Sequence, residues 1–290
     1  MPEGRIIKAL SGYYYVLDNE TVWQCRARGV FKKKKISPLV GDLVEYDQER
    51  NQEGFIQQIF ERKTELIRPP IANVDQAVLV FSLAEPQISL LLLDKFLVHT
   101  ESAGVKSIIC LSKSDLASNE DIQPIVSLYE KLGYDVLVTH QLKTDPSEQI
   151  RELLPGHITV FAGQSGVGKS TLLNSIIPGA NLLTGSISER LGRGKHTTRH
   201  VELIPYQGGF VADTPGFSQL DFFDIEPEHL SHYFVEMREF LPDCKYRGCL
   251  HVSEPQCAIV SALQRGEIAQ SRYDHYLQFL KEMKEKKRRY

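Results

Sequence analysis

Residues 158–177 read ITVFAGQSGVGKSTLLNSII, and this stretch decides the fold. The run Ile158 to Ala162 is near-continuously apolar, the pattern of a strand buried on both faces. Gly163 to Ser170 then follows the spacing GxxxxGKS, and Thr171 to Ile177 opens a helix. Glycines at this turn let backbone N–H groups converge on phosphate oxygens, and the helix N-terminus adds partial positive charge. Lys169 is placed to reach the outer phosphates, and the Ser170 hydroxyl is placed to ligate Mg²⁺. The expected nucleotide-binding set is Gly163, Gln164, Ser165, Gly166, Val167, Gly168, Lys169, Ser170 and Thr171. A chance match is the bland alternative, and the strand and helix in their proper places argue against it.

Two further segments follow downstream. Phe210 to Ala212 reads as a strand, ending in Asp213, Thr214, Pro215 and Gly216. An aspartate there can hold Mg²⁺ through water, and the Gly216 N–H can sense a γ-phosphate. Between them, Gly192 to Arg199 (GRGKHTTR) is glycine-rich and without period, which suits a switch loop. Thr198 is the expected Mg²⁺ contact and Thr197 the alternative; an ordinary exposed loop would account for the glycines equally well.

Upstream, Ser112, Lys113, Ser114 and Asp115 follow a strand pattern at Ser107 to Leu111. The Asp115 carboxylate can accept from the N1 and N2 hydrogens of guanine, while Lys113 packs its stem over the ring. Ser112 stands where such a segment usually has Asn, so one amide contact is missing or supplied otherwise, and an ATP-using enzyme stays open as a reading. The alternative for Asp115 is a helix N-cap. This base-reading segment precedes the phosphate loop by about fifty residues, the reverse of the ordinary order, so the domain reads as circularly permuted.

The 290 residues, 42% apolar, suffice for two or three domains. A net charge of −3 gives no global attraction for nucleic acid, which leaves two local basic runs, Lys32 to Lys35 and Lys281 to Tyr290. No apolar run approaches the ~20 residues of a membrane-spanning helix, so a cytoplasmic protein is expected. Short alternating strands at Arg5 to Leu10, Tyr13 to Leu17, Thr21 to Ala27, Leu43 to Tyr46 and Phe55 to Phe60 suggest an OB-type β-barrel over 1–68. Apolar strands separated by amphipathic stretches make 69–222 a doubly wound α/β domain with a parallel sheet. Residues 223–290 read as a helical zinc-binding domain, its last helix starting at Ser271 in a capping box with Asp274. Cys244, Cys249, His251 and Cys257 offer four ligands without an open position, as a structural zinc site requires. No heptad or apolar stripe points to self-association, so a monomer is expected.

The ordered set IANVD (71–75), SKSD, GQSGVGKS, GRGKHTTR, DTPGF, CKYRGCLH and EPQCA resembles the bacterial RsgA family, also called YjeQ or YloQ, over essentially the whole chain. The resemblance implies a circularly permuted GTPase that binds GTP with Mg²⁺, hydrolyses it under stimulation by the 30S ribosomal subunit, and acts late in maturation of that subunit. The barrel and the basic runs would then meet 16S rRNA. Phe217 stands where many GTPases carry the water-orienting Gln, and His196 is the expected substitute, alongside Lys169 and Thr198 as catalytic residues. A nucleotide-gated RNA-binding module, with hydrolysis only as reset, is the second reading.

Overall fold

The computed structural model describes residues 1–33, 36–67, 69–139, 148–177, 201–213, 222 and 225–287, excepting the side chains of 32 and 33. His196, Thr197, Thr198, Thr214, Pro215, Gly216, Phe217 and most of the Lys32 to Lys35 run lie outside the described residues or side chains.

The five N-terminal strands are β1 Glu3–Leu10, β2 Tyr13–Asp18, β3 Thr21–Ala27, β4 Leu43–Gln48 and β5 Glu53–Ile59. They close into a barrel in the order β1-β2-β3-β5-β4, with β3 and β5 parallel and β4 returning antiparallel to β1. Register shifts at Ile6/Lys8 and Glu45/Tyr46 bend the strands, as closure of so small a barrel requires. Alternation puts Ile6, Val16, Cys25, Val44, Tyr46 and Ile56 inside, each fully buried.

A short hairpin, β6 Glu65–Ile67 and β7 Pro70–Ala72, leads into the second sheet. Its strands are β8 Gln76–Ser82, β9 Lys106–Ser112, β10 Asp135–Val138, β11 Ile158–Ala162, β12 Ile204–Tyr206 and β13 Gly209–Asp213. Their order is β10-β9-β8-β11-β13-β12, all parallel except the edge strand β12. β12 escapes a sequence reading because it is three residues long with Pro205 in the middle, tolerable only at an edge. Along β8 the side chains divide: Ala77, Leu79 and Phe81 join one core, Val78 and Val80 the other. A short helix, α1 Gly29–Lys33, follows β3 in the barrel part, and both faces of the sheet are covered, chiefly by helices α2 Leu90–Ser102, α3 Asn119–Lys131, α4 Glu148–Leu153 and α5 Lys169–Ile176.

The barrel is fused to this sheet. One apolar cluster runs from Ile6 and Val44 to Val74, Leu79 and Leu203. Gly41, at φ +94, lets the barrel close on the hairpin, since a Cβ there would lie 2.0 Å from the Ala72 carbonyl oxygen. Arg62 grips the fully buried Asp42 with two hydrogen bonds of 2.8 Å. On the sheet side, the Leu203 N–H donates to the Ile7 carbonyl at 2.8 Å, and Lys8 pairs with Glu202 at 2.8 Å.

The C-terminal part holds 3-10 turns, a helix Ala258–Gln264 and a final helix Gln270–Lys287. That helix begins one residue before Ser271, so the expected capping box does not form; Asp274 instead accepts from the Gln270 side chain at 2.8 Å. Among the described residues no helix is long and apolar enough to cross a membrane.

Candidate functional site

The permuted chain order disappears in space. The strand order sets β11 between β8 and β13, with β9 beyond β8, so the carboxyl ends of all four parallel strands lie at the same edge of the sheet. Carboxyl ends of parallel strands are where open α/β sheets bind ligands. The phosphate loop after β11 crosses directly over β8: a Cβ on Gly163 would stand 2.2 Å from the Val80 carbonyl oxygen. Gly166 and Gly168 take φ of +82 and +93, Gly168 caps α5, and Val167 is buried beneath the loop as its anchor. Ser165, Gly166 and Thr171 are exposed, with Gln164, Lys169 and Ser170 half-buried.

Lys169 Nζ lies 3.4 Å from Asp213 Oδ1 at the end of β13. That carboxylate oxygen is buried and, among the described residues, accepts no hydrogen bond beyond this ion pair. A carboxylate with free acceptor capacity at the mouth of a phosphate loop fits a divalent cation, with Ser170 and Asp213 as the described residues to hold it. Mg²⁺ held by these residues would supply neutralisation of phosphate charge.

Each of the first three residues of the base-reading segment has a partner in a neighbouring loop. The Ser112 hydroxyl is buried and lies 2.7 Å from the Val167 carbonyl oxygen of the phosphate loop. Lys113, at φ +57, turns its ammonium onto the Glu85 carbonyl rather than leaving it in solvent. Ser114 donates to the Thr139 carbonyl from both its N–H, at 3.2 Å, and its hydroxyl, at 3.0 Å. Asp115 sits exposed in the single turn Ser114–Leu116 and does not cap α3, because Ser118 does so by accepting from the Asp121 N–H at 3.2 Å.

Further along, Cys244, Cys249, His251 and Cys257 bring their ligand atoms within 4.8 Å of one another. Cys244 Sγ lies 3.6 Å from His251 Nδ1 and 4.0 Å from Cys257 Sγ, and His251 Nδ1 lies 3.4 Å from Cys257 Sγ. Ordinary zinc bond lengths set tetrahedral edges of about 3.6–3.8 Å, so these residues fit the ion. Burial pushes the Cys249 thiol up to about 12, so a thiolate there calls for a cation beside it. The loop is braced from two sides. Burial alone would raise the Glu254 carboxyl, but N–H donors of Leu250, Val252 and Ser253 hold it at about 2. Tyr273 and Tyr276, on the final helix, donate to the carbonyls of His251 and Leu250 at 2.7 and 2.9 Å.

The RsgA GTPase family model matches residues 59–223, and the RsgA N-terminal domain model matches residues 3–56. The chain belongs to the RsgA GTPase family. It is a GTP hydrolase of the circularly permuted type. Proteins described as small ribosomal subunit biogenesis GTPase RsgA from Bacillus subtilis and Halalkalibacterium halodurans are each 55% identical to it, over 100% of this chain and 100% and 99% of their own. Among solved structures, YloQ, a circularly permuted GTPase, superposes with a TM-score of 0.83 at 49% identity, over 99% of this chain and 96% of its own. YjeQ from Thermotoga maritima gives 0.83 at 36% identity, over 97% and 98%.

What sequence reasoning missed in this RsgA-family chain is the joint between the GTPase helices and the zinc-site part. Asp94 of α2, fully buried, receives the Tyr129 hydroxyl at 2.7 Å, His275 at 2.5 Å and an ion pair from Arg272 at 2.5 Å. Arg272, 1% exposed, also donates to both carboxylate oxygens of Glu236 at 2.7 and 3.0 Å and lies over the Phe234 ring at 4.7 Å. Beside it, Phe222 stacks on His99 at 5.2 Å and packs on Phe279 at 5.1 Å, with Lys95 over its face. Arg272 stands in a polar stretch between Ser271 and Tyr273, and only its partners reveal that it is inside.

Proposed function

We propose that this GTPase binds the 30S subunit through contacts that include 16S rRNA, hydrolyses GTP to GDP and phosphate late in maturation of that subunit, and is stimulated by it. The relatives' description as small ribosomal subunit biogenesis GTPases, over full length at 55% identity, supports the partner. The observation that carries the chemistry is the meeting of Lys169 and the buried Asp213 oxygen at the phosphate-loop edge of the sheet.

In this reading Gly163 to Thr171 cradle the phosphates, Lys169 neutralises charge developing on the outer one, and Ser170 with Thr198 holds Mg²⁺. His196 orients the attacking water, and Gly216 senses the γ-phosphate. Cys244, Cys249, His251 and Cys257 hold one structural Zn²⁺. The chain divides at 1–68, 69–222 and 223–290, works as a monomer and resides in the cytoplasm; the end of the match at 59–223 supports the second division, and the matches at 3–56 and 59–223 meet some residues before the first. GTP turnover measured with 30S, with 50S and with no ribosome tests the proposal. Stimulation specific to 30S is expected; equal rates in all three would sink it. His196→Ala should lose the stimulated rate while keeping GTP affinity.

A further inference from the structure

Ser112, Lys113 and Ser114 each bind a different neighbouring loop. Ser112 reaches the phosphate loop at Val167, Lys113 the loop after β8 at Glu85, and Ser114 the end of β10 at Thr139. The three contacts gather the carboxyl-end loops around the nucleotide position, and Asp115 of the same segment is exposed at that edge. A hydroxyl has a single proton. At 2.7 Å the Val167 carbonyl is the nearer acceptor for the Ser112 proton, with the Phe81 carbonyl at 3.3 Å. An asparagine amide in that place has two N–H groups and could tie the loop and contact the base together; a serine can do one of these.

We propose that Ser112 is a positioning residue that locks the base-reading segment to the phosphate loop and makes no contact with N7 of the guanine. Base choice in this segment then falls to Asp115. The inference rests on the GTP-binding reading and deepens it.

The test is titration of the full-length protein with GTP and with 7-deaza-GTP, in which N7 is replaced by C–H. Ser112→Ala leaves the buried Val167 carbonyl unpaired and should weaken both nucleotides alike, by about tenfold or more. The ratio of the two affinities should match the wild type. Ser112→Cys, isosteric with a poor donor, serves the same comparison should the alanine variant not fold. In Ser112→Asn the second N–H should make the protein newly prefer GTP over 7-deaza-GTP. A wild-type preference for GTP that Ser112→Ala abolishes would overturn the proposal, as would unchanged GTP affinity in Ser112→Ala. Failure of the wild type to bind GTP would instead sink the proposed function itself.

Discussion

Replacing Arg272 with alanine is expected to unlock the final helix from the GTPase domain. The guanidinium is 1% exposed and faces two carboxylates, on Asp94 at 0% and on Glu236 with a side chain 6% exposed. Asp94 keeps Tyr129 and His275 after the change, but Glu236 loses both of its contacts from Arg272. Removing one partner of a buried ion pair costs about 3–5 kcal/mol, because the other charge stays out of water. The cost should therefore approach that range through Glu236, with the lost contact on Phe234 adding to it. At a denaturant slope of about 2 kcal/mol per molar urea, the midpoint for this part should fall by about 2 M. Two probes separate the parts: zinc released to a chromogenic chelator reports the C-terminal end, and Trp23, the sole tryptophan, reports the barrel. The zinc-release midpoint should move and the Trp23 transition should follow it only in part. Arg272→Lys should recover a fraction, since a single ammonium cannot match the guanidinium fork on Glu236. A midpoint for Arg272→Ala within about 0.25 M urea of wild type, about 0.5 kcal/mol at that slope, would refute the reasoning.

Asp115→Asn exchanges one of two acceptors for a donor opposite the 2-amino group of guanine, where xanthine carries a carbonyl oxygen, so nucleotide titration should show affinity moving from GTP toward xanthosine triphosphate; retained GTP preference would mean that another group reads the base. Gly163→Ala drives a Cβ to 2.2 Å from the Val80 carbonyl oxygen, and GTP binding should be lost while the barrel still melts as in the wild type; binding within threefold would show that the loop can shift without harm. For Glu254, depressed to about 2, the stabilising effect is complete above the ordinary carboxylate value near 4.5 and disappears as pH falls toward 2. Thermal melts from pH 6 to 2 should accordingly show the gap between wild type and Glu254→Gln narrowing below pH 4.5 and closing toward pH 2, and a gap that stays constant would count against the brace.

Much of the site was legible in the chain because its parts are local. The phosphate loop is a strand, a glycine turn and a helix start in twenty consecutive residues, and the four zinc-site ligands fall between Cys244 and Cys257. Covalent spacing alone places such groups near one another. Barrel strands showed through their period-two alternation for the same reason, whereas β12 at three residues was too short to show a period.

Sequence by itself thus determined which residues are available for phosphate, base and zinc, and in what order they occur. Only the tertiary structure decided that β11 lies between β8 and β13, which brings Lys169 to Asp213 and undoes the permutation in space. It also decided that the Ser112 hydroxyl faces the phosphate loop and that Arg272 is an interior charge. The physical reason is range: a turn is set by the residues that form it, whereas the partner of a buried hydroxyl or guanidinium comes from a segment tens to hundreds of residues away, and packing of the whole sheet brings the two together.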